Sequence, residues 1–370
     1  MEPLAVMIKP ASGLCNMKCA YCFYRDEMKK RERGSLGFMS EETLKNVIRK
    51  TLPRAKESIY YIFQGGEPTL RGIGFFQKAL EYQKQYNKNH VMIYNSIQTN
   101  GYCIDEEWCR FLAGNKFLTG LSLDGIRETH DACRRGADGE GSFKNVLRTA
   151  DLFDKYGVMY NILTVVTGFV AENPEKIYGF YKNRGWRHQQ YIACMEPLVP
   201  EGDGYGLTPE LYGEFLIKLF YLFLSDWERG RAPFIRQFEN YIQKLLGLIP
   251  EACEHAGKCG RQYAVEADGT VYPCDFYMTD PYCLGNFNRD NLKSIDERRR
   301  EILFLEESEK ISAECRRCQY FSLCRSGCQR NRRYERETDG YKDRFCKAYK
   351  MFFDRCLEDM KRVCKEISVK

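Results

Sequence analysis

CNMKCAYC, residues 15–22, is the most informative segment of the chain, because it carries three thiols within eight residues. It directly follows a strand-like run, Leu4 to Ile8. Three thiolates, from Cys15, Cys19 and Cys22, can hold one 4Fe–4S cluster and leave one iron without a protein ligand. An open iron suits a cluster that binds a reactant, whereas a cluster that only carries electrons takes four cysteines. The alternative interpretation is a zinc site that lacks its fourth ligand.

The composition is that of a globular protein with one anomaly, its cysteines. Hydrophobic residues make up 44% and charged residues 29% of the 370 residues, which argues against a disordered or fibrous chain and allows two domains. No apolar run reaches the roughly 18 residues of a membrane span, and the start lacks a signal-peptide layout, so we expect a cytoplasmic location. In that reducing compartment, 18 cysteines indicate metal binding or redox chemistry rather than disulfides.

The charge of the chain gives no indication of a nucleic-acid partner. The net charge of +6 is small for this length and comes from short basic runs, such as Lys29 to Arg33 and Arg330 to Arg336. Solvated faces explain such runs better than nucleic-acid contacts. We therefore expect neither nucleic acid nor a membrane among the partners.

Strand-like runs alternate with amphipathic stretches over the first two thirds of the chain. After Leu4 to Ile8 a helix is predicted over Ser40 to Thr51, with Ser40 as its N-cap. The later strand-like runs are Ser58 to Phe63, Met92 to Gln98, Leu118 to Leu123, Met159 to Val166 and Gln189 to Cys194. Six βα units predict an α/β fold with a parallel sheet, an open partial (β/α)6 barrel of the TIM type. Functional residues should then follow the strands.

The domain organisation is predicted from the change of pattern near Pro250. Two aromatic-rich helices over Thr208 to Leu248 form a bridge, and a last helix runs from about Arg344 to Cys364. Between them lies a cysteine-rich region whose own core is small, so metal clusters would stabilise it. The predicted division is a barrel over 1–207, a helical bridge over 208–249, a cysteine-rich domain over 250–350 and a C-terminal helix over 351–370.

The cysteine-rich region holds a second set of regularly spaced thiols. Its pattern is Cys259-x9-Gly269-x4-Cys274, followed by Cys315-x2-Cys318-x5-Cys324-x3-Cys328-x17-Cys346. With Cys253 the set offers eight thiolates, enough for two fully ligated 4Fe–4S clusters, although two four-cysteine zinc sites fit the spacing equally well. Cys283 competes with Cys253 as a ligand. The remaining cysteines fit no motif and are interpreted as small buried hydrophobes: Cys103, Cys109, Cys133, Cys194, Cys356 and Cys364.

These motifs together resemble the radical SAM superfamily and its SPASM extension over nearly the whole chain. The superfamily signature is CxxxCxxC after the first barrel strand, and Gly65-Gly66-Glu67-Pro68 resembles its GGEP element after the second strand. The resemblance implies that S-adenosylmethionine (SAM) binds the open iron and is cleaved to a 5′-deoxyadenosyl radical. It implies five residues that contact SAM, with Gly66 at the amino group: Tyr21, Gly66, Ser122, Arg134 and Met195.

The same resemblance implies how the eight thiolates divide between two auxiliary 4Fe–4S clusters, which makes three clusters in all. The first auxiliary cluster would take Cys253, Cys259, Cys274 and Cys328. The second would take Cys315, Cys318, Cys324 and Cys346.

Within the superfamily, the length, the cysteine spacing and the pair Cys274-Asp275 resemble the anaerobic sulfatase-maturating enzymes. The resemblance implies conversion of a Cys or Ser of a sulfatase to Cα-formylglycine. In that reaction the radical removes a Cβ hydrogen, Asp275 deprotonates the side chain, and an auxiliary cluster accepts an electron. Tyr24 and Gln64 would line the peptide site. The expected partners are a sulfatase polypeptide and a low-potential electron donor, and the enzyme is expected to be a monomer.

Two other functions remain open at this point. One is a SPASM enzyme that crosslinks or cyclises a precursor peptide; such enzymes commonly carry a leader-binding domain, and only fourteen residues precede Cys15. The other is a noncatalytic iron–sulfur electron carrier, which would need neither a three-cysteine open cluster nor the GGEP element.

Overall fold

A computed structural model describes residues 4–198 and 204–369 of the chain. The described residues form two compact units, each built from three segments. Unit 1 takes its residues from Met1–Leu123, Asp131–Asn161 and Arg261–Leu303, and unit 2 from Asp124–His130, Ile162–Gly260 and Phe304–Lys370. Because the units interleave along the chain, the predicted domain boundaries stay predictions. Parts of the predicted domains, residues 1–3, 199–203 and 370, lie outside the described residues.

The strands begin with the six that the sequence predicts. They are β1 (Leu4–Ile8), β2 (Ser58–Phe63), β3 (Met92–Thr99), β4 (Leu118–Ser122), β5 (Tyr160–Val166), β6 (His188–Ala193), β7 (Phe234–Ile235), β8 (Gln262–Val265), β9 (Thr270–Tyr272), β10 (Gly285–Asn286), β11 (Arg332–Glu335) and β12 (Gly340–Asp343). The predicted strands therefore all occur, with ends that differ by at most one residue.

Helices separate the first six strands, as the predicted βα units require. The helices are α1 (Phe23–Lys29), α2 (Glu41–Thr51), α3 (Ile73–Tyr86), α4 (Glu106–Gly114), α5 (Arg127–Cys133), α6 (Phe143–Tyr156), α7 (Gly168–Ala171), α8 (Pro174–Asn183), α9 (Pro209–Trp227), α10 (Arg236–Leu245), α11 (Cys253–Ala256), α12 (Leu292–Glu301), α13 (Phe304–Glu307), α14 (Ala313–Arg317), α15 (Phe321–Cys324) and α16 (Cys346–Val369). Ser40 caps α2 as predicted, because its hydroxyl accepts from the Thr43 amide at 3.1 Å.

In unit 1 the strand order is β10-β9-β8-β1-β2-β3-β4, with β8 and β1 to β4 parallel. Ile8 pairs with Phe63 and Phe63 with Ile97, so the carboxyl ends of these strands lie at one edge of the sheet. The side chains of all three are almost completely buried. This register explains why the loops after β1, β2 and β3 meet.

In unit 2 strands β5, β6 and β7 are parallel neighbours, and α9, α10 and α16 pack through aromatic side chains. The ring centroids of Phe220 and Phe238 are 5.3 Å apart, and those of Tyr241 and Phe353 are 5.0 Å apart. The final helix, Cys346–Val369, begins two residues later and ends five residues later than the sequence indicates. Among the residues that the structure describes, no helix has the length and apolar character needed to cross a membrane.

Candidate active site

The cluster loop, residues 15–22, runs from the end of β1 towards α1 and is held by the backbone that follows α5. The Lys18 amide donates to the Arg135 carbonyl at 2.8 Å, and the Ala20 amide donates to the Cys133 carbonyl at 2.9 Å. These bonds fix the loop between its cysteines. The residues just after α5 are therefore next to the predicted cluster ligands.

The three thiols of the cluster loop lie close enough to influence one another. Desolvation by the surrounding protein, together with the charges of Glu67, Cys19 and Cys22, raises the pKa of Cys15 to about 12, although Cys15 keeps an exposed face. Three neighbouring thiols with no fourth cysteine fit the open 4Fe–4S cluster that the sequence predicts. Such thiols lose their protons when iron binds.

A buried carboxylate ties the GGEP turn to the end of β3 and to the cluster loop. Glu67 is 1% exposed and accepts hydrogen bonds from the Thr69 hydroxyl at 2.7 Å and the Asn100 amide at 2.8 Å. The Asn100 side chain in turn donates to Asn16 Oδ1 at 2.8 Å and lies 3.6 Å from Cys15 Sγ. Burial raises the pKa of Glu67, and these hydrogen bonds act in the opposite direction. The sequence analysis gave Glu67 no role, although it lies within the GGEP element.

The glycines of the GGEP turn are required by close backbone packing. Gly66 has φ +55°, and a Cβ placed there would lie 2.2 Å from the Leu14 carbonyl oxygen. The neighbouring Glu67 amide donates to the same oxygen at 2.9 Å. The turn thus packs directly on the chain before Cys15, which explains the glycine without testing its predicted contact with SAM.

The other predicted SAM residues lie in the cluster loop (Tyr21), after α5 (Arg134), at the end of β4 (Ser122) and after β6 (Met195). In unit 1 the Arg134 guanidinium lies 5.4 Å from the ring centroid of Tyr21, and Ser122 Oγ accepts from Gln98 Nε2 at 3.0 Å. In unit 2 the half-buried Met195 follows β6. Their roles in SAM binding stay predictions.

The structure brings together three residues that the sequence analysis selected separately. Asp275, 4% exposed, uses Oδ2 to accept from the Tyr24 hydroxyl at 2.6 Å and from Gln64 Nε2 at 3.1 Å. Gln64 Nε2 also lies 2.9 Å from the Tyr24 hydroxyl oxygen. Burial and the adjacent Asp275 charge raise the pKa of Tyr24, so its hydroxyl stays a donor. The carboxylate is therefore held in a fixed orientation directly after Cys274.

In unit 2 four predicted ligands of the second auxiliary cluster line one cavity. Aromatic rings of Tyr320, Phe321 and Tyr349 share its wall. Burial raises the pKa of Cys324 to about 12 and that of Cys346 to about 11, and the Cys315 thiol contributes to both. The four thiols are Cys315, Cys318, Cys324 and Cys346. A closed set of four thiols fits a fully ligated 4Fe–4S cluster.

Three of the predicted ligands of the first auxiliary cluster also interact within unit 2. Burial raises the pKa of Cys328, and the neighbouring Cys253 and Cys259 raise it further. The fourth, Cys274, belongs to unit 1, where it follows β9. Cys283, also in unit 1, packs against a buried group formed by Ala264, Tyr272 and Met278. Within the described residues, no group of three or more His, Cys, Asp and Glu side chains is arranged to hold a single metal ion.

Two family models match the chain where these cysteines lie. The model of the radical SAM superfamily matches residues 10–182, and the model of an iron–sulfur cluster-binding domain, SPASM, matches residues 253–319. The class of protein is thus a radical SAM enzyme with a SPASM domain. These matches confirm the predicted cofactors, 4Fe–4S clusters together with SAM, while the individual ligands stay predictions.

Full-length relatives narrow this class to one family. The cysteine-type anaerobic sulfatase-maturating enzyme of Clostridium perfringens (strain 13 / Type A) is 40% identical, over 99% of this chain and 100% of that protein. That of Clostridium novyi is 37% identical over 100% and 99%, and the serine-type enzyme of Bacteroides thetaiotaomicron is 30% identical over 99% and 92%. The chain belongs to the anaerobic sulfatase-maturating enzyme family, as the motifs predict.

Solved structures agree with this assignment. Native anSMEcpe with bound AdoMet superposes with a TM-score of 0.93 at 40% identity, covering 98% of this chain and 100% of that one. The same protein with bound AdoMet and a Cp18Cys peptide gives 0.92 at 39% identity, over 99% and 100%. The predicted fold class, an α/β radical SAM fold followed by a SPASM domain, is therefore confirmed.

Proposed function

We propose that this enzyme oxidises a cysteine of a sulfatase polypeptide to Cα-formylglycine. The observation that supports the reaction is the buried Asp275 carboxylate, which Tyr24 and Gln64 hold in one orientation. A general base must reach the proton that it removes in a fixed geometry, and this arrangement provides one. The radical chemistry alone would not require such a base.

The cofactors and the side chains divide the reaction between them. When bound by Cys15, Cys19 and Cys22, the open cluster with SAM would supply the radical that removes one hydrogen atom from the substrate Cβ, and an auxiliary cluster would take up one electron. Asp275 takes the proton of the substrate thiol, so one hydrogen atom, one proton and one electron leave and a thioaldehyde remains. Hydrolysis of the thioaldehyde gives the aldehyde and releases hydrogen sulfide. Tyr24 and Gln64 donate hydrogen bonds to Oδ2 of Asp275 during this reaction.

Cysteine rather than serine is proposed as the target because of the relatives. Cysteine-type enzymes are 40% and 37% identical to this chain, whereas serine-type enzymes are 30% and 28% identical. A thiol is also the easier group to deprotonate, since its ordinary pKa is about 8.5.

The remaining partners belong to the same proposal. The polypeptide substrate is supported by the anSMEcpe structure that holds a Cp18Cys peptide. A low-potential electron donor must reduce the open cluster, because cleavage of SAM consumes an electron. We also propose that the enzyme is a cytoplasmic monomer that binds neither nucleic acid nor a membrane.

The test is anaerobic incubation of the reconstituted enzyme with SAM, a reductant and three sulfatase-motif peptides that carry Cys, Ser or Ala at the target position. We expect an aldehyde product from the Cys peptide, trapped as a hydrazone and detected by mass spectrometry, less from the Ser peptide and none from the Ala peptide. A crosslinked or cyclised product that no hydrazine traps would support the precursor-peptide alternative. If SAM stayed intact under strong reductant, the result would support the alternative of a noncatalytic iron–sulfur electron carrier.

A further inference from the structure

A buried ammonium group lies beside the proposed base and has no part in the reaction described so far. Lys9 directly follows β1 and is 1% exposed. Its Nζ lies 3.4 Å from Asp275 Oδ1 and 3.8 Å from the ring centroid of Tyr24. A buried lysine is rare because removing its charge from water is costly unless an opposite charge is near.

The two oxygens of Asp275 have different partners. Oδ2 accepts from Tyr24 and Gln64, whereas Oδ1 accepts no hydrogen bond among the described residues and faces Lys9. The ion pair with Lys9 is therefore the interaction that fixes Oδ1. Since Oδ2 already takes two hydrogen bonds, Oδ1 is the oxygen with capacity for a further proton.

The turn after β2 leaves room for the Lys9 side chain. Gly65 has φ +107°, and a Cβ at this position would lie 2.7 Å from Lys9 Cε and 2.8 Å from Lys9 Cγ. The aliphatic stem of Lys9 thus runs against the backbone of Gly65. The first glycine of the GGEP turn therefore allows the ammonium to reach Asp275.

A second buried carboxyl group, that of Glu27, lies close enough to Lys9 to compete for the ion pair. Glu27 is 2% exposed, and neither of its oxygens has a hydrogen-bond partner among the described residues. Burial raises the pKa of Glu27 to about 8, although Lys9 and Arg31 act in the opposite direction. Burial thus favours the neutral form of Glu27, whereas Lys9 Nζ lies within ion-pair distance of Asp275 Oδ1.

We propose that Lys9 is a positioning residue that orients the Asp275 carboxylate towards the substrate through an ion pair with Oδ1. This inference rests on the proposed function, because it assigns Lys9 to the base of that reaction. Without the ion pair, the Asp275 carboxylate is free to rotate about its Cβ–Cγ bond, because Tyr24 and Gln64 bind only Oδ2. Misplacing a catalytic group by about 1 Å can lower the rate roughly 10²-fold.

The first test compares Lys9→Met, Lys9→Arg and the exposed control Lys30→Met. For Lys9→Met we expect kcat for formylglycine to fall roughly 10²-fold, KM for the peptide to stay within about twofold, and the ratio of 5′-deoxyadenosine to formylglycine to rise. Lys9→Arg should restore most of kcat, and Lys30→Met should match the parent enzyme. A Lys9→Met variant with the parent kcat and ratio would overturn the proposal, as would equal failure of both Lys9 variants with normal iron content.

The second test measures the ion pair without turnover, by anaerobic thermal unfolding of Lys9→Met, Asp275→Asn and the double variant. Each single change leaves one buried charge unpaired, so the melting temperature should fall, and the double variant should recover part of the loss. Additive losses would overturn the ion pair. If the parent enzyme made no formylglycine but the recovery were seen, the proposed function would fail while the Lys9–Asp275 pair would stand.

Discussion

The cluster loop of unit 1 and the four-cysteine cavity of unit 2 surround their thiols with different chemistry. In the cluster loop the Cys15 thiol lies near hydrogen-bonded polar groups, among them Glu67 and Asn100. The four thiols of the cavity share its wall with aromatic rings. Near the cavity Glu314 accepts from Lys342 and Lys350, each at 2.8 Å, which lowers the pKa of Glu314 to about 2. The carboxylate of Asp343, by contrast, is 2% exposed, and burial together with its charge raises the pKa of Cys324.

The two environments suit two different tasks. A cluster that binds a polar reactant needs an open iron and nearby polar side chains, whereas a cluster that only exchanges an electron is best fully ligated and shielded. Unit 1 also keeps the buried Lys9 ammonium 3.4 Å from the proposed base Asp275, an arrangement typical of functional sites. The predictions below test whether the two regions are separable in this way.

The largest expected effect comes from removing the three thiols of the cluster loop together. Replacing Cys15, Cys19 and Cys22 by Ala should remove about four of about twelve irons and abolish SAM cleavage, because no other group in the proposal binds the reactive cluster. Iron analysis and chromatography of 5′-deoxyadenosine measure this. The control is Cys109→Ala, a buried cysteine of α4 that should keep its iron. Retained SAM cleavage in the triple variant would contradict the assignment.

Removing one cysteine of the cavity should affect SAM cleavage less, and folding more, than removing the three cysteines of the cluster loop. Cys315→Ala should lower the iron content by up to about four atoms and lower the melting temperature and the yield of soluble protein, because cluster binding stabilises a region with a small core. SAM cleavage should persist in the protein that remains folded. Cys356→Ala, in the same unit and fully buried, is the matched control. Unchanged stability, iron and turnover in Cys315→Ala would show that the cavity holds no cluster.

Much of this comparison could be predicted from the sequence, since cysteine spacing and the strand-end rule are local patterns. They led to the cluster loop and the GGEP turn. Tyr24 and Asp275 were selected separately, and only the folded chain shows that these two residues, 251 positions apart, are hydrogen-bonded. Lys9 and Glu27 were not found, because no motif marks them and their importance depends on burial that only the folded chain creates. A lysine at the end of an otherwise apolar strand was the one available signal for Lys9.

The third prediction separates proton transfer from radical formation within unit 1. Asp275→Asn keeps the shape of the side chain but removes its basic oxygen, so formylglycine should fall by roughly 10² to 10⁴. Iron content should stay the same and SAM cleavage should survive at least in part. Both products are quantified from one reaction. Undiminished formylglycine would exclude Asp275 as the base, and an equal loss of both products would mean that it shapes the site instead.

The smallest effect is expected from Glu27, and it concerns stability rather than turnover. The groups that act on this carboxylate are Lys9 from β1, Asp275 after β9, Arg31 after α1 and the backbone of Met278. An unfolded glutamate has a pKa of about 4.3, whereas burial raises the pKa of Glu27 to about 8. Between these values the folded chain holds a proton that the unfolded chain has lost. Stability should therefore fall as the pH rises through this window.

Glu27→Gln removes this titration and should flatten the dependence. The buried amide has its own desolvation penalty, but that penalty does not change with pH, so the informative quantity is the difference between two pH values. Each unit of pKa shift corresponds to about 1.4 kcal/mol, so the variant should gain a few kcal/mol relative to the parent between pH 5 and pH 8.5. Anaerobic denaturant unfolding at both pH values measures this, with Glu32→Gln, an exposed carboxylate of the same segment, as the control. Parallel pH curves for Glu27→Gln and the parent would mean that Glu27 is ionised in the folded enzyme at both pH values, and unit 1 would then lack the neutral buried carboxyl group inferred beside Lys9.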